Sequence, residues 1–242
     1  MRESITPQDH SVPMFGRQDE VRALTNALCA RKSCLVLGPN GIGKTRLLQE
    51  SLSIARQPYV SVGRPAVLHG LLVELAERLS CPAGRFGSLR RATSIALKPS
   101  VQNALRGQPR CLVLEDVAGA DPRTYRFRQK VYYIPAVCLI VTAASRDRLG
   151  HLRKLLWDPS DEISLKPLTR SEALSLFDVA SRMHRLQSLD LYAFRRKVLA
   201  AAQGNPGQIL AMCRMASLPE YQHARHIKFL PLRMDALTAF VR

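Results

Sequence analysis

No stretch of about 18 consecutive apolar residues occurs in the chain, which excludes a membrane-spanning helix. The first residues carry Glu3 and Asp9 and hold no apolar core segment, so they do not read as a secretory signal. Together these absences lead to the expectation of a cytoplasmic protein. None of the six cysteines (Cys29, Cys34, Cys81, Cys111, Cys138, Cys213) stands in a C-x-x-C pair. Zinc sites and disulfide frameworks are built from paired cysteines, so these read instead as reduced core residues. Acidic residues are also few: 19 Asp and Glu face 36 Lys and Arg, a net charge of +17. Such a field attracts polyanions, although the same arginine-rich usage fits a solvated surface encoded by a GC-rich genome. What remains is ordinary: 242 residues, 46% of them hydrophobic, suit one α/β domain with a small appendage.

The chain is organised around Gly38-Pro39-Asn40-Gly41-Ile42-Gly43-Lys44-Thr45, a G-x-x-x-x-G-K-T run that follows the apolar stretch 33–37 and leads into a helix expected from Lys44 to about Arg56, whose Arg46 joins the run as a candidate nucleotide contact. Glycines at 38, 41 and 43 let the backbone wrap close enough for several N–H groups to face phosphate oxygens. The loop delivers those phosphates to a helix N-terminus, where unpaired N–H groups and the helix dipole favour an anion. Lys44 is placed to reach the β- and γ-phosphates, and the Thr45 hydroxyl is an oxygen ligand suited to Mg²⁺. The run reads as a nucleoside triphosphate site.

Further along, 59–62 is short, β-rich and bounded by Pro58 and Gly63, a second strand, and 66–79 repeats apolar residues at helical spacing. Pro99 is expected to end or kink a helix. Cys111 to Leu114 is an apolar strand tipped by Glu115 and Asp116, and carboxylates at a strand's C-terminal end lie where α/β sheets bind ligands. The near-continuous apolar run 137–142 suits a strand buried on both faces, and 161–165 a fifth strand. Thr169 and Glu172 form a capping box that opens a helical stretch, with helices at 174–184, 189–202 and 208–216. After Leu218 only a short tail is expected, too small for a winged helix or a repeat array. Between Gly84 and Lys130 ten basic residues, among them Arg85, Arg90, Arg91, Arg123, Arg126 and Arg128, face only Glu115, Asp116 and Asp121.

The order of these motifs resembles AAA+ and STAND P-loop ATPases, of the origin-recognition or transposition-regulator type. Met14-Phe15-Gly16-Arg17-Gln18-Asp19-Glu20 is similar to the h-h-G-R-E-x-E signature, with Gln18 replacing its first glutamate. By that resemblance Phe15, Gly16 and Arg17 border the adenine. Glu115 and Asp116 map onto the Walker B carboxylates, Glu115 as the Mg²⁺ ligand with Thr45 and Asp116 as the catalytic acid. Their order is inverted relative to the usual Asp-Glu, and Asp116 reaches one methylene less far than the usual glutamate, so hydrolysis is expected to be slow. Thr142 falls on the sensor 1 position, followed by Ser145 and Arg146, which could equally cap the next helix. Gly204-Asn205-Pro206 is similar to the lid motif whose proline abuts the nucleotide. The resemblance also implies an arginine finger supplied by a neighbouring copy, with Arg123, Arg126 and Arg128 as candidates.

The resemblance implies a parallel-sheet P-loop NTPase core at 13–166, a helical lid and tail at 167–242, and a loose arm at 1–12. It implies ATP and Mg²⁺ as cofactors, a partner protein and homo-oligomerisation. Two classes of function stay open. One is an ATP-hydrolysing switch assembling on duplex DNA through the basic 84–130 region, as transposition or replication accessory ATPases do. The other is a nucleotide-binding regulatory scaffold with little or no hydrolysis. A small-molecule kinase is less well supported, since no acceptor-binding segment is visible.

Overall fold

The computed structural model describes residues 13–63, 67–84, 87–119 and 121–241. The arm expected at 1–12 and the basic residue Arg85 lie outside them. The described residues divide into two compact units, one built from 19–39 and 44–165, the other from 13–18, the loop segment 40–43 and 166–241.

The larger unit is a five-stranded parallel sheet. Its strands are β1 (Cys34–Leu37), β2 (Tyr59–Gly63), β3 (Arg110–Glu115), β4 (Val137–Ala143) and β5 (Glu162–Ser164), in the order β2-β3-β4-β1-β5. All seven residues of β4 and all four of β1 are buried, which is why both read as unbroken apolar runs with no polar alternation. Helices α1 (Gln18–Cys29), α2 (Lys44–Ala55), α3 (Leu68–Arg78), α4 (Ser94–Gly107) and α5 (Pro122–Tyr132) accompany the sheet. Leucines of α3 and α4 join Val60, Leu112, Leu139 and Val141 in one core. Strand β4 lies between β1 and β3, so the phosphate-binding strand and the carboxylate strand are separated by one strand.

Pro99 neither ends nor breaks α4. It stands in the second turn, where only its own missing N–H is lost, and both Pro99 and Ile95 are exposed, so the orphaned carbonyl of Ile95 lies on the solvated side. Asp121 caps α5 by accepting from the N–H groups of Arg123 and Thr124 at 2.8 and 3.2 Å, with Pro122 behind it as the first helical residue.

The smaller unit contains α6 (Arg170–Met183), α7 (Leu191–Ala202), α8 (Pro206–Ala216), a two-stranded hairpin of β6 (Gln222–His223) and β7 (His226–Ile227), and α9 (Phe229–Val241). Its core gathers Leu176, Phe177, Phe194, Val198, Ile209 and Met212. The segment after Leu218 is therefore more than a tail: Tyr221, Leu232 and Ala236 are buried in the same core. Five of the six cysteines are buried and all six are free, while Cys29 is exposed. Burial pushes the Cys34 and Cys213 thiols up to about 12, so both stay protonated at neutral pH. No described helix is long and apolar enough to cross a membrane.

Candidate nucleotide site

In the larger unit two strands and a helix converge on one carboxylate. Glu115 is the last residue of β3, in register with Gly63 at the end of β2. Ser61, two residues earlier on β2, projects from the same face as Gly63 and donates its hydroxyl proton to Glu115 Oε1. Thr45, the second residue of α2, donates to Glu115 Oε2 at 3.3 Å. The serine went unnoticed in the sequence because a hydroxyl in a five-residue strand carries no signal until the β2–β3 register is known. Lys44 is buried and its ammonium reaches back to the carbonyls of Gly38 and Pro39 at 2.6 and 3.3 Å, closing the loop on itself. The neighbouring Arg46 is half-buried on α2.

The next residue, Asp116, turns the chain out of β3 with φ +48°, in the left-handed region that costs a non-glycine residue about 1 kcal/mol or more. Thr142 holds that turn. Its buried hydroxyl accepts the Asp116 N–H at 2.8 Å, and its carbonyl accepts the Val117 N–H at 2.8 Å. Ser145 flanks the following 3-10 segment (Arg146–Lys154) without a side-chain cap bond. Arg146 donates to the carbonyls of Leu156 and Trp157 at 2.9 and 3.0 Å and pairs with Glu162 at 3.4 Å. Thr142 thus joins the carboxylate strand, whereas Arg146 bonds to carbonyls beyond the 3-10 segment and to a carboxylate on β5.

In the smaller unit the loop tip Asn40–Gly43 is held by residues distant in sequence. Arg17, only 6% exposed, extends its guanidinium to the carbonyls of Lys166 at 2.5 Å and Ile42 at 3.5 Å. Asn205 caps α8 through Oδ1, which accepts from Gln208 N–H, and donates through Nδ2 to Asn40 O at 2.8 Å. Pro206 is the first residue of that helix, and the Gly207 N–H donates to Gly41 O at 2.9 Å. Phe15 packs against the core of this unit. Gly16 has φ +61° and faces the Glu172 carboxylate so closely that an added Cβ would stand 2.2 Å from it. That carboxylate accepts the Thr169 N–H at 2.8 Å, and this bond, ahead of any charge from Arg17, holds its pKa below the usual glutamate value.

The basic region separates into different environments. Arg128 is 2% exposed, and burial depresses its pKa to about 10, so it faces neither a phosphate backbone nor a neighbouring copy. Arg90 pairs with Glu77 at 3.4 Å. On α5, Arg123, Arg126 and Lys130 are exposed. The 3-10 segment joins them through the Tyr125–His151 ring contact at 5.5 Å and adds the exposed Arg148, Arg153 and Lys154. Those last three lie outside the span singled out in the sequence, because their apposition to α5 depends on the packing of the sheet.

The profile of the family described as AAA ATPase domain matches residues 13–188. No curated protein matches the chain. Among solved structures, the Orc1 protein of Aeropyrum pernix in complex with DNA is similar over 96% of this chain and 67% of its own, at a TM-score of 0.68 and 16% identity. The Walker-type ATPase PABY2304 of Pyrococcus abyssi aligns over 94% and 71%, at 0.61 and 15%. The RuvB Holliday junction branch migration motor of Thermotoga maritima aligns over 94% and 70%, at 0.59 and 14%.

Proposed function

This chain belongs to the AAA ATPase domain family, and from that premise we propose that it is an ATP- and Mg²⁺-dependent molecular switch that hydrolyses ATP slowly and works on duplex DNA. The observation that carries the reading is the meeting of Thr45, Ser61 and Glu115 beside Lys44 at the carboxyl ends of the strands. The donor set fits: a hydroxyl and a carboxylate are the hard oxygens Mg²⁺ takes, and an ammonium on a glycine-rich loop is what a triphosphate needs. Thr45 and Glu115 would hold the cation, which neutralises charge between the β- and γ-phosphates when bound. Lys44 would exchange its carbonyl partners for phosphate oxygens. Asp116, next along the chain from Glu115, is given the role of orienting water, and its short reach from a left-handed turn supports slow turnover.

DNA enters the proposal through charge. Arg123, Arg126 and Lys130 on α5, with Arg148, Arg153 and Lys154 beside them, form an exposed cationic face suited to a phosphate backbone. Similarity to Orc1 in complex with DNA and to the RuvB branch migration motor supports the same direction. A second reading, a nucleotide-responsive scaffold, is favoured by the inverted Glu115-Asp116 pair. Turnover of the full chain with and without duplex DNA at low salt separates the two. The switch reading expects slow basal hydrolysis that DNA accelerates and that added salt returns to baseline. ATP binding with no hydrolysis under either condition would favour the scaffold.

A further inference from the structure

Five successive carbonyls of the P-loop are occupied, and they are divided between two sources. Gly38 and Pro39 accept from Lys44. The next three accept from elsewhere in the smaller unit: Asn40 from Asn205 Nδ2 at 2.8 Å, Gly41 from the Gly207 N–H at 2.9 Å, and Ile42 from Arg17 Nη2 at 3.5 Å. In a planar trans peptide the carbonyl and the following N–H point in opposite directions. Holding the carbonyls of 40, 41 and 42 therefore fixes the orientation of the N–H groups of Gly41, Ile42 and Gly43, the kind of donor an anion-binding nest is made from.

We propose that Asn205, Gly207 and Arg17 are positioning residues that set the P-loop peptides for phosphate. The fit is close: a Cβ on Gly207 would stand 2.8 Å from both Cα and O of Gly41, so only glycine lets α8 approach the loop this far. Asn205 serves two partners at once. Its oxygen caps the helix, as serine or aspartate would, whereas its amide nitrogen alone donates to the loop. That second bond has no helix-capping purpose. A loop already holding its bound-state geometry loses less entropy when phosphate arrives, so these donors raise affinity without touching the ligand.

The proposal rests on the nucleotide-site reading, and its test keeps the two apart. Asn205→Ser retains the cap and deletes the donor, and Gly207→Ala pushes the helix from the loop. Binding of Mg·ATP, Mg·ADP and AMP to the full-length variants is measured by calorimetry beside thermal unfolding. The expected result for Asn205→Ser is an unchanged unfolding temperature, an about two- to tenfold loss for ATP and ADP, and none for AMP, which lacks the phosphates at the loop tip. Hydrogen–deuterium exchange across 38–45 in the nucleotide-free protein is expected to quicken in both variants, a readout that needs no ligand. Unchanged ATP affinity in folded variants, an equal loss for AMP, or unchanged exchange would overturn the positioning role. No nucleotide binding by the parent protein would instead overturn the site itself.

Discussion

Glutamate at 115 reaches one methylene further from its strand than aspartate, and here hydroxyls on both sides take up that length. With Thr45 on one oxygen and Ser61 on the other, the carboxylate is held in a single orientation. Ser61→Ala frees one side. Supporting hydrogen bonds of this kind typically govern metal affinity about 10- to 100-fold. The Mg²⁺ concentration that half-saturates ATP binding is therefore expected to rise by roughly tenfold in Ser61→Ala, with metal-free nucleotide affinity unchanged. A magnesium titration at fixed ATP checks this, and an unaltered midpoint would leave Ser61 a bystander. At this scale the Lys44-Thr45 pair and the two carboxylates were legible, since motif spacing alone places them. Ser61 and Asn205 were not: one needs a strand register, and the other a contact across 165 positions. In the sequence Gly204-Asn205-Pro206 resembles the lid motif, but that resemblance points to the proline and gives the Asn205 side chain no partner.

Elements announced themselves where their burial is one-sided or complete, and hid where it is mixed. Strands β1 and β4 are buried throughout and read as apolar runs. Helix α9 carries Leu232 and Ala236 inward but leaves Leu230, Met234 and Leu237 exposed, so no amphipathic stripe distinguishes it from a tail. It is tied to the helical core by the Tyr221 hydroxyl, which donates to the Asp235 carboxylate at 2.7 Å. That bond, ahead of burial, pushes the phenol up to about 12 from its ordinary value of 10.0. A raised folded-state pKa favours the protonated form, so the contribution is complete below pH 10 and is lost as pH climbs through 12. Tyr221→Phe is expected to be less stable than the parent in urea at pH 8, with the gap narrowing above pH 10. A gap that stays constant to pH 12 would rule the tether out.

For the whole molecule, the parallel sheet was readable because loop, carboxylate strand and polar-tipped strand follow one another in an order that few folds share, and the family match over 13–188 agrees with it. The charge was less readable. Its total of +17 is plain, but Arg128 is buried while Arg148, Arg153 and Lys154 are exposed on a segment that touches α5 through the Tyr125–His151 pair, and packing decides which cations reach the surface. Every functional statement about the chain depends on triphosphate being held at 38–45. Binding of a fluorescent ATP analogue with Mg²⁺ to the parent and to Lys44→Ala, each shown to be folded by circular dichroism, tests that dependence. Saturable binding by the parent and its loss in Lys44→Ala is the expected result. Equal affinity in the two proteins would contradict it.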